Sequence, residues 1–469
     1  MTRLSRLASL ALKAAVFAVL VLSARDASAQ TCDPDHTIRW PDAAPVWELC
    51  WTSPVDSTGI DGSGLEITNV RYNGRLVLAR GHIPIVNVKY DPGGCGGLDL
   101  SYRDWNKELV RFEANNVIRP GYAEPTVPPR TVCDTPGSDV GTFTGVAAEK
   151  LADRLVLTTQ VQAGWYRYIY TWTFLPDGSI KPGVRFTAVD NICTPLAHYH
   201  NIYWRFDFDI GDAETDAVDE FNSGGWTPLR TEARRLHAPS ADRRWRVRDK
   251  LSGHSYELVP SAEADIADAW SIGDFWAVAF RETELDDGGA TGGLDGDRAH
   301  IDPYVNGESI DGRDVVVWYR SGVRHAGPAD CELAGPTLRP LRTAMATLTG
   351  NGTGPAVTVS PADPLRIEAA FDAGPASVLN PAEIYIGVAG PAGTYFLDPV
   401  LGFVASPRRL YAGPLSSFPA ATVIDLPAAG ALPAGTYVWF IAVDGDTNGV
   451  LNAMFFGYLV TTIGTPPPP

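Results

Sequence analysis

Beyond its N-terminal segment the 469-residue chain has no apolar run long enough to cross a bilayer, so no membrane span is expected. Long apolar stripes at helical spacing are missing too, which argues against a helical domain. There is no Cys-x-x-Cys, so the spacing gives a thiolate metal site no basis. Positive charge is scarce: 38 Lys and Arg stand against 55 Asp and Glu, for a net charge of −17. That balance argues against nucleic acid as a partner and suits a soluble exported protein; it would weakly attract cationic small molecules.

What is present begins with an export signal. Arg3, Arg6 and Lys13 flank an apolar run from Ala14 to Leu22, and Ala27-Ser28-Ala29 has the small residues of a cleavage site. Residues 1–29 are therefore expected to be a signal peptide, leaving a secreted chain, periplasmic or extracellular, that starts at Gln30. In an oxidising compartment the six cysteines point to disulfides. Sequence does not choose among the pairings; position suggests Cys32–Cys50, Cys95–Cys133 and Cys193–Cys331.

Gly and Pro are frequent, and strand-like runs recur between turns, as in Leu155–Gln160, Tyr166–Phe174, Phe275–Phe280 and Val315–Tyr319. The chain reads as all-β and too long for one small sandwich. A large first domain is expected over 30–345, with a linker over 346–355 where Thr-Leu-Thr-Gly-Asn-Gly-Thr-Gly-Pro stands. A small β-sandwich over 356–465 and a disordered tail over 466–469 follow. All eight histidines and all six cysteines lie before the linker.

The first domain centres on His198-Tyr199-His200, which continues through Trp204, Phe206, Asp207, Phe208 and Asp209. Aromatic and β-branched residues alternate here with period two, the signature of a strand. Residues two apart share a face, roughly 7 Å apart along the strand. His198 and His200 thus project together and can converge on one metal ion, while Asp207 and Asp209 point the other way. Three further stretches carry candidate chemistry. Tyr90-Asp91-Pro92 ends a strand in a turn, and Ser101-Tyr102-Arg103-Asp104 follows with one carboxylate. Trp165 to Phe174 puts Tyr166, Tyr168 and Tyr170 on one face of a strand. Asp314 to Tyr319 is a turn and buried strand that ends at His325, a third histidine.

Taken together, residues 75–343 resemble the catalytic β-sandwich of the copper- and topaquinone-dependent primary amine oxidases. Tyr90-Asp91-Pro92 resembles a conserved turn of that family. Gly164 to Tyr168 resembles the strand that bears the cofactor tyrosine, and His198-Tyr199-His200 with Arg205-Phe206-Asp207 resembles the copper strand. Asp314 to His325 resembles the segment that supplies the third copper ligand. The resemblance implies a large amine-oxidase-like β-sandwich in which His198, His200 and His325 hold one Cu(2+) and Tyr166 is the precursor of topaquinone. It implies that Tyr90 hydrogen-bonds the quinone, that Asp104 is the base that takes the substrate α-proton, and that Tyr102 is the aromatic gate. It further implies a structural Ca(2+) on Asp207, Asp209 and Asp314 with the backbone carbonyls of Phe208 and Val315.

The function implied is oxidation of a primary amine by O2 and water to aldehyde, ammonia and hydrogen peroxide. Two departures bear on it. Trp165 stands where the family has asparagine, putting bulk beside the ring, and Arg167 stands where it has an acidic residue, putting a cation next to Tyr166. These departures favour an alternative, a catalytically silent copper-binding relative acting as an extracellular binding or structural protein. A third reading, a carbohydrate-binding or adhesive β protein, draws on the many tryptophans. The segment Val218–Thr231 is too short for the hairpin arm that embraces a second subunit in the family, so a homodimer is possible without it. In the second domain, Pro433 to Tyr437 followed by Ala442-Val443-Asp444 resembles the Ig-like accessory domains of secreted bacterial proteins.

Overall fold

The computed structural model describes residues 32–90, 101–188, 194–250, 253–261, 273–288, 299–325, 331, 335–342, 345–354, 356–373, 378–444, 449, 451 and 455–464. The expected signal peptide, the tail 466–469, Cys95 and Cys193 lie outside these residues. Among the described residues the regular structure is β-strand with a few single-turn 3-10 helices, which makes the chain all-β. No helix there is long and apolar enough to cross a membrane.

The chain divides into two compact units, one made of Ala29–Asp249 with Ser255–Leu341 and the other chiefly of Arg342–Pro469. Five strands of the first unit position the chemistry: β1 (Arg75–Tyr90), β2 (Ser101–Asp104), β3 (Tyr166–Phe174), β4 (His198–Phe208) and β5 (Val315–His325). β4 lies in the middle of a nine-stranded sheet, antiparallel to β1 on one side and to β5 on the other. β2 pairs with the end of β1. β3 lies in an eleven-stranded sheet, between Leu155–Ala163 and Ile180–Ala188.

The two sheets meet face to face because each turns its alternate large apolar side chains inward. Ile202, Trp204, Phe206 and Phe208 of β4 and Tyr168, Tyr170, Trp172 and Phe174 of β3 are buried in one core. Trp172 packs edge-on against Trp204 with ring centroids 5.9 Å apart, and its indole donates to the Leu65 carbonyl at 2.8 Å. Each such fully buried ring contributes about 1.5–3 kcal/mol of apolar transfer. The approach is close enough to require glycine at one place: a Cβ on Gly81 would stand 2.9 Å from Trp172.

The second unit has its own core around Leu365, Ile367, Trp439, Ile441 and Leu459. A three-stranded sheet (Met345–Gly350, Leu365–Asp372, Phe418–Leu426) and a seven-stranded sheet centred on Val378–Gly390 and Gly435–Asp444 contribute to it. The stretch expected to be linker is thus in part a strand. Met345–Gly350 pairs with Leu365–Asp372 and buries Ala346 and Leu348, so alternating burial outweighs the Gly and Thr content.

Two disulfides are described. Cys32–Cys50 joins neighbouring segments as the spacing suggests. The second is Cys133–Cys331, a sequence separation of 198, which overturns both Cys95–Cys133 and Cys193–Cys331. Proximity along the chain to His198 and His325 was a poor guide, because a disulfide follows Cβ geometry in the folded sheets.

Candidate metal and cofactor site

The alternation of β4 sends His198 and His200 into the space between the sheets, where both are fully buried. The antiparallel register sets His198 opposite Tyr90 of β1 and opposite His325 of β5. Directly opposed residues in such a pair have Cβ atoms about 4.5–5.5 Å apart. From the facing sheet, β3 presents Tyr166, Tyr168 and Tyr170 at the same level, also buried.

The hydrogen bonds fix the imidazole tautomers. Nδ1 of His198 lies against the Leu196 carbonyl, which only accepts, so that nitrogen carries the proton and Nε2 carries the lone pair. The Tyr168 hydroxyl donates to the Asp104 carboxylate, so its contact with His200 Nδ1, 2.9 Å away, is donated by the ring. Nε2 of His200 therefore carries a lone pair as well. These two Nε2 atoms stand 3.1 Å apart. Two lone pairs at that distance repel, and the Tyr166 hydroxyl lies 2.7 Å from His198 Nε2. A cation between them satisfies both, and the spacing is close to that of two imidazoles on one ion with metal–nitrogen bonds of about 2.0–2.1 Å. Neutral imidazoles held by a carbonyl and a phenol are donors that suit copper. Phe186 stacks on His200 at 4.0 Å between centroids and fixes the ring plane.

Tyr166 is flanked by Tyr90, whose hydroxyl is 3.3 Å away. Burial pushes both phenols above their ordinary pKa, Tyr166 more than Tyr90. Asp104 is 8% exposed, so it is no surface carboxylate, and it bonds Tyr168. Its charge is felt at Tyr90 and Tyr166. Tyr102, two residues before Asp104 on the same phase of β2, is 37% exposed and sits edge-on to Tyr90 and to Trp165 with centroids 6.1 and 6.2 Å apart.

Arg167 is not beside the Tyr166 ring. Strand alternation sends it to the other face of β3, where it is buried and forms a double hydrogen bond with Asp139 at 2.8 and 3.1 Å. The expectation of a cation acting on the ring is overturned by the same period of two that placed the histidines.

A second centre lies on the outer phase of β4. One carboxylate oxygen each from Asp207, Asp209 and Asp314 fall within 4.8 Å of one another. The register of β4 and β5 opposes Phe208 and Val315 between them. Asp209 Oδ1 and Asp314 Oδ1 are buried with no hydrogen-bond partner. Burial, then the neighbouring carboxylates, pushes Asp209 up to about 7 and Asp314 up to about 8. Burial also raises Asp207, against the pull of Arg205. Three clustered carboxylates with enclosed, unpartnered oxygens could hold a hard cation.

Sequence reasoning read Tyr168 only as part of an aromatic layer and missed its contacts with Asp104 and His200. It likewise missed Asn106, which accepts from Tyr170. The shared spacing of two, Asp104 with Asn106 and Tyr168 with Tyr170, is the signal that the two elements run side by side.

No protein-family model matches the chain, and no curated protein matches it by sequence. Among solved structures the chain is similar to a copper-containing benzylamine oxidase from Hansenula polymorpha, with 15% identity and a TM-score of 0.48 over 66% of this chain and 61% of that one. It is also similar to the Aspergillus nidulans amine oxidase, with 14% identity and a TM-score of 0.45 over 63% of this chain and 50% of that one. A third match is the Pichia pastoris lysyl oxidase, with 12% identity and a TM-score of 0.46 over 63% of this chain and 51% of that one. The chain spans between 50% and 61% of the length of these proteins.

Proposed function

We propose that this protein is an exported copper- and topaquinone-dependent primary amine oxidase. The observation that carries the reading is the pair of Nε2 lone pairs on His198 and His200, 3.1 Å apart, with the Tyr166 hydroxyl 2.7 Å from one of them. His198, His200 and, by its register position, His325 would hold copper. Tyr166 would become the quinone at the expense of dioxygen, and that quinone would supply the electrophile and electron sink for amine oxidation.

The chain's own residues have separable tasks in this reading. Tyr90 holds the oxygen of residue 166 in place. Asp104 takes the proton from the substrate carbon, and Tyr168 fixes its carboxylate. Tyr102 and Trp165 wall off the rim and limit water. Asp207, Asp209 and Asp314, with the carbonyls of Phe208 and Val315, would hold calcium and pin β4 to β5. The second unit is assigned as an Ig-like accessory sandwich without chemistry of its own. The amine and O2 are the small-molecule partners.

The test is reconstitution. Protein made without copper is given Cu(II) in air and followed for a visible band, a hydrazine adduct at Tyr166, and peroxide release with primary amines. A band, an adduct and peroxide support the reading. Copper uptake with no band and no adduct would sink it in favour of the silent copper-binding relative.

A further inference from the structure

Trp165 is half-buried, yet its indole N–H is fully enclosed and has no hydrogen-bond partner among the described residues. An enclosed, unpartnered donor is costly and rare, and it asks what acceptor completes it. The surroundings narrow the answer. The indole packs edge-on against Tyr102 at 6.2 Å and tilted against Tyr166 at 6.2 Å between centroids. Burial raises the pKa of both Tyr90 and Tyr166, while the indole N–H works in the opposite direction on each phenol. The donor thus stands close enough to both oxygens to favour negative charge there, without a well-aligned hydrogen bond to either.

A tyrosine ring offers one oxygen, and on Tyr166 that oxygen is already engaged by His198 and Tyr90. The quinone proposed for residue 166 carries two more oxygens on the same ring, whose neighbours among the described residues include Tyr90, Tyr168, His200 and Trp165. We propose that Trp165 is a positioning residue whose indole N–H donates to an oxygen that the ring of residue 166 gains on oxidation. This rests on the quinone reading above. It turns the tryptophan from an obstruction into the group that holds the oxidised ring in one orientation.

Two measurements test it. In the wild-type protein, the ultraviolet resonance Raman marker of indole hydrogen bonding is followed before and after Cu(II) and air, with W165F used to identify the Trp165 component. It is expected to move from an unbonded to a bonded position as the visible band grows. In parallel, W165F, which keeps an aromatic ring but has no N–H, is loaded the same way. Its ring-carbonyl stretch is expected to rise, and the shift that D2O produces in wild type is expected to vanish. A visible band with no change in the indole marker and a carbonyl stretch identical in W165F overturns the role of Trp165 and leaves the quinone standing. No visible band in either protein overturns both. Should W165F fail to fold, W165L, which also lacks a donor, replaces it in both measurements, and the same outcomes decide.

Discussion

The Tyr168 hydroxyl donates to the Asp104 carboxylate, deep between the two sheets. The same oxygen receives Nδ1–H of His200, 2.9 Å away, so one phenol orients both a candidate base and a candidate metal ligand. Removing it should therefore affect the metal more than the fold. Tyr168→Phe is expected to lower copper affinity about 10–100-fold, the usual effect of losing a partner behind a ligating imidazole. Titration against a competing chelator measures it. Unchanged affinity would mean that His200 is not a ligand.

Arg167 and Asp139 make the reverse case. Their double hydrogen bond lies on the far face of β3, and Arg167 is buried. Arg167→Met is expected to cost about 2–4 kcal/mol, because it leaves a largely enclosed carboxylate without its cation. The visible band of the copper-loaded protein should nonetheless keep its position. Urea unfolding and the absorption spectrum, recorded on one preparation, check the two halves. A displaced band at unchanged stability would put the guanidinium back beside the ring.

Much of this site is legible in the sequence because a strand has a period of two. That period alone puts His198 and His200 on one face of β4 and Asp207 on the other, with Asp209 following just past the strand end. It also held the answer for Arg167, whose adjacency to Tyr166 in sequence places it on the opposite face. What sequence could not supply is whatever depends on the facing sheet. The partners of Tyr168 and Tyr170 come from β2 and the residues after it, and Cys133–Cys331 closes across 198 residues. Met345–Gly350 was obscured differently: its alternation is clear at Ala346 and Leu348, but the Gly-Asn-Gly that follows made the whole stretch read as linker.

The carboxylate cluster should respond to mutation with opposite signs in two buffers. In chelator, at a pH above the raised values of Asp209 and Asp314, the three carboxylates of Asp207, Asp209 and Asp314 repel one another, and Oδ1 of Asp209 and of Asp314 is buried without a hydrogen-bond partner. Asp209→Asn removes one of these charges, so its melting temperature in chelator is expected to rise by a few degrees. With millimolar calcium the wild type is expected to gain stability by mass action, and the variant to gain much less. The two melting curves therefore exchange order between the buffers. Differential scanning calorimetry reads this directly, and a variant less stable in both would exclude a cation site.

Acid sensitivity should come from histidines outside the metal centre. His82 is fully buried against Ser63, 3.0 Å from its hydroxyl, and burial, then Arg205 and Arg80, hold its pKa well below the ordinary imidazole value. His237 is lowered mainly by burial as well. A histidine whose folded pKa is depressed takes up its proton only on unfolding. Stability is therefore full above the unfolded value of about 6.5 and is lost as pH falls below it, by up to about 1.4 kcal/mol per pH unit for each such group. Urea midpoints in calcium-containing buffer are expected to fall between pH 6.5 and 5. His82→Gln keeps a polar side chain but cannot titrate, so its curve should be flatter than the wild-type curve by one proton's slope. Parallel curves for the two proteins would show that His82 becomes protonated without unfolding, and that the enclosure around it opens to water.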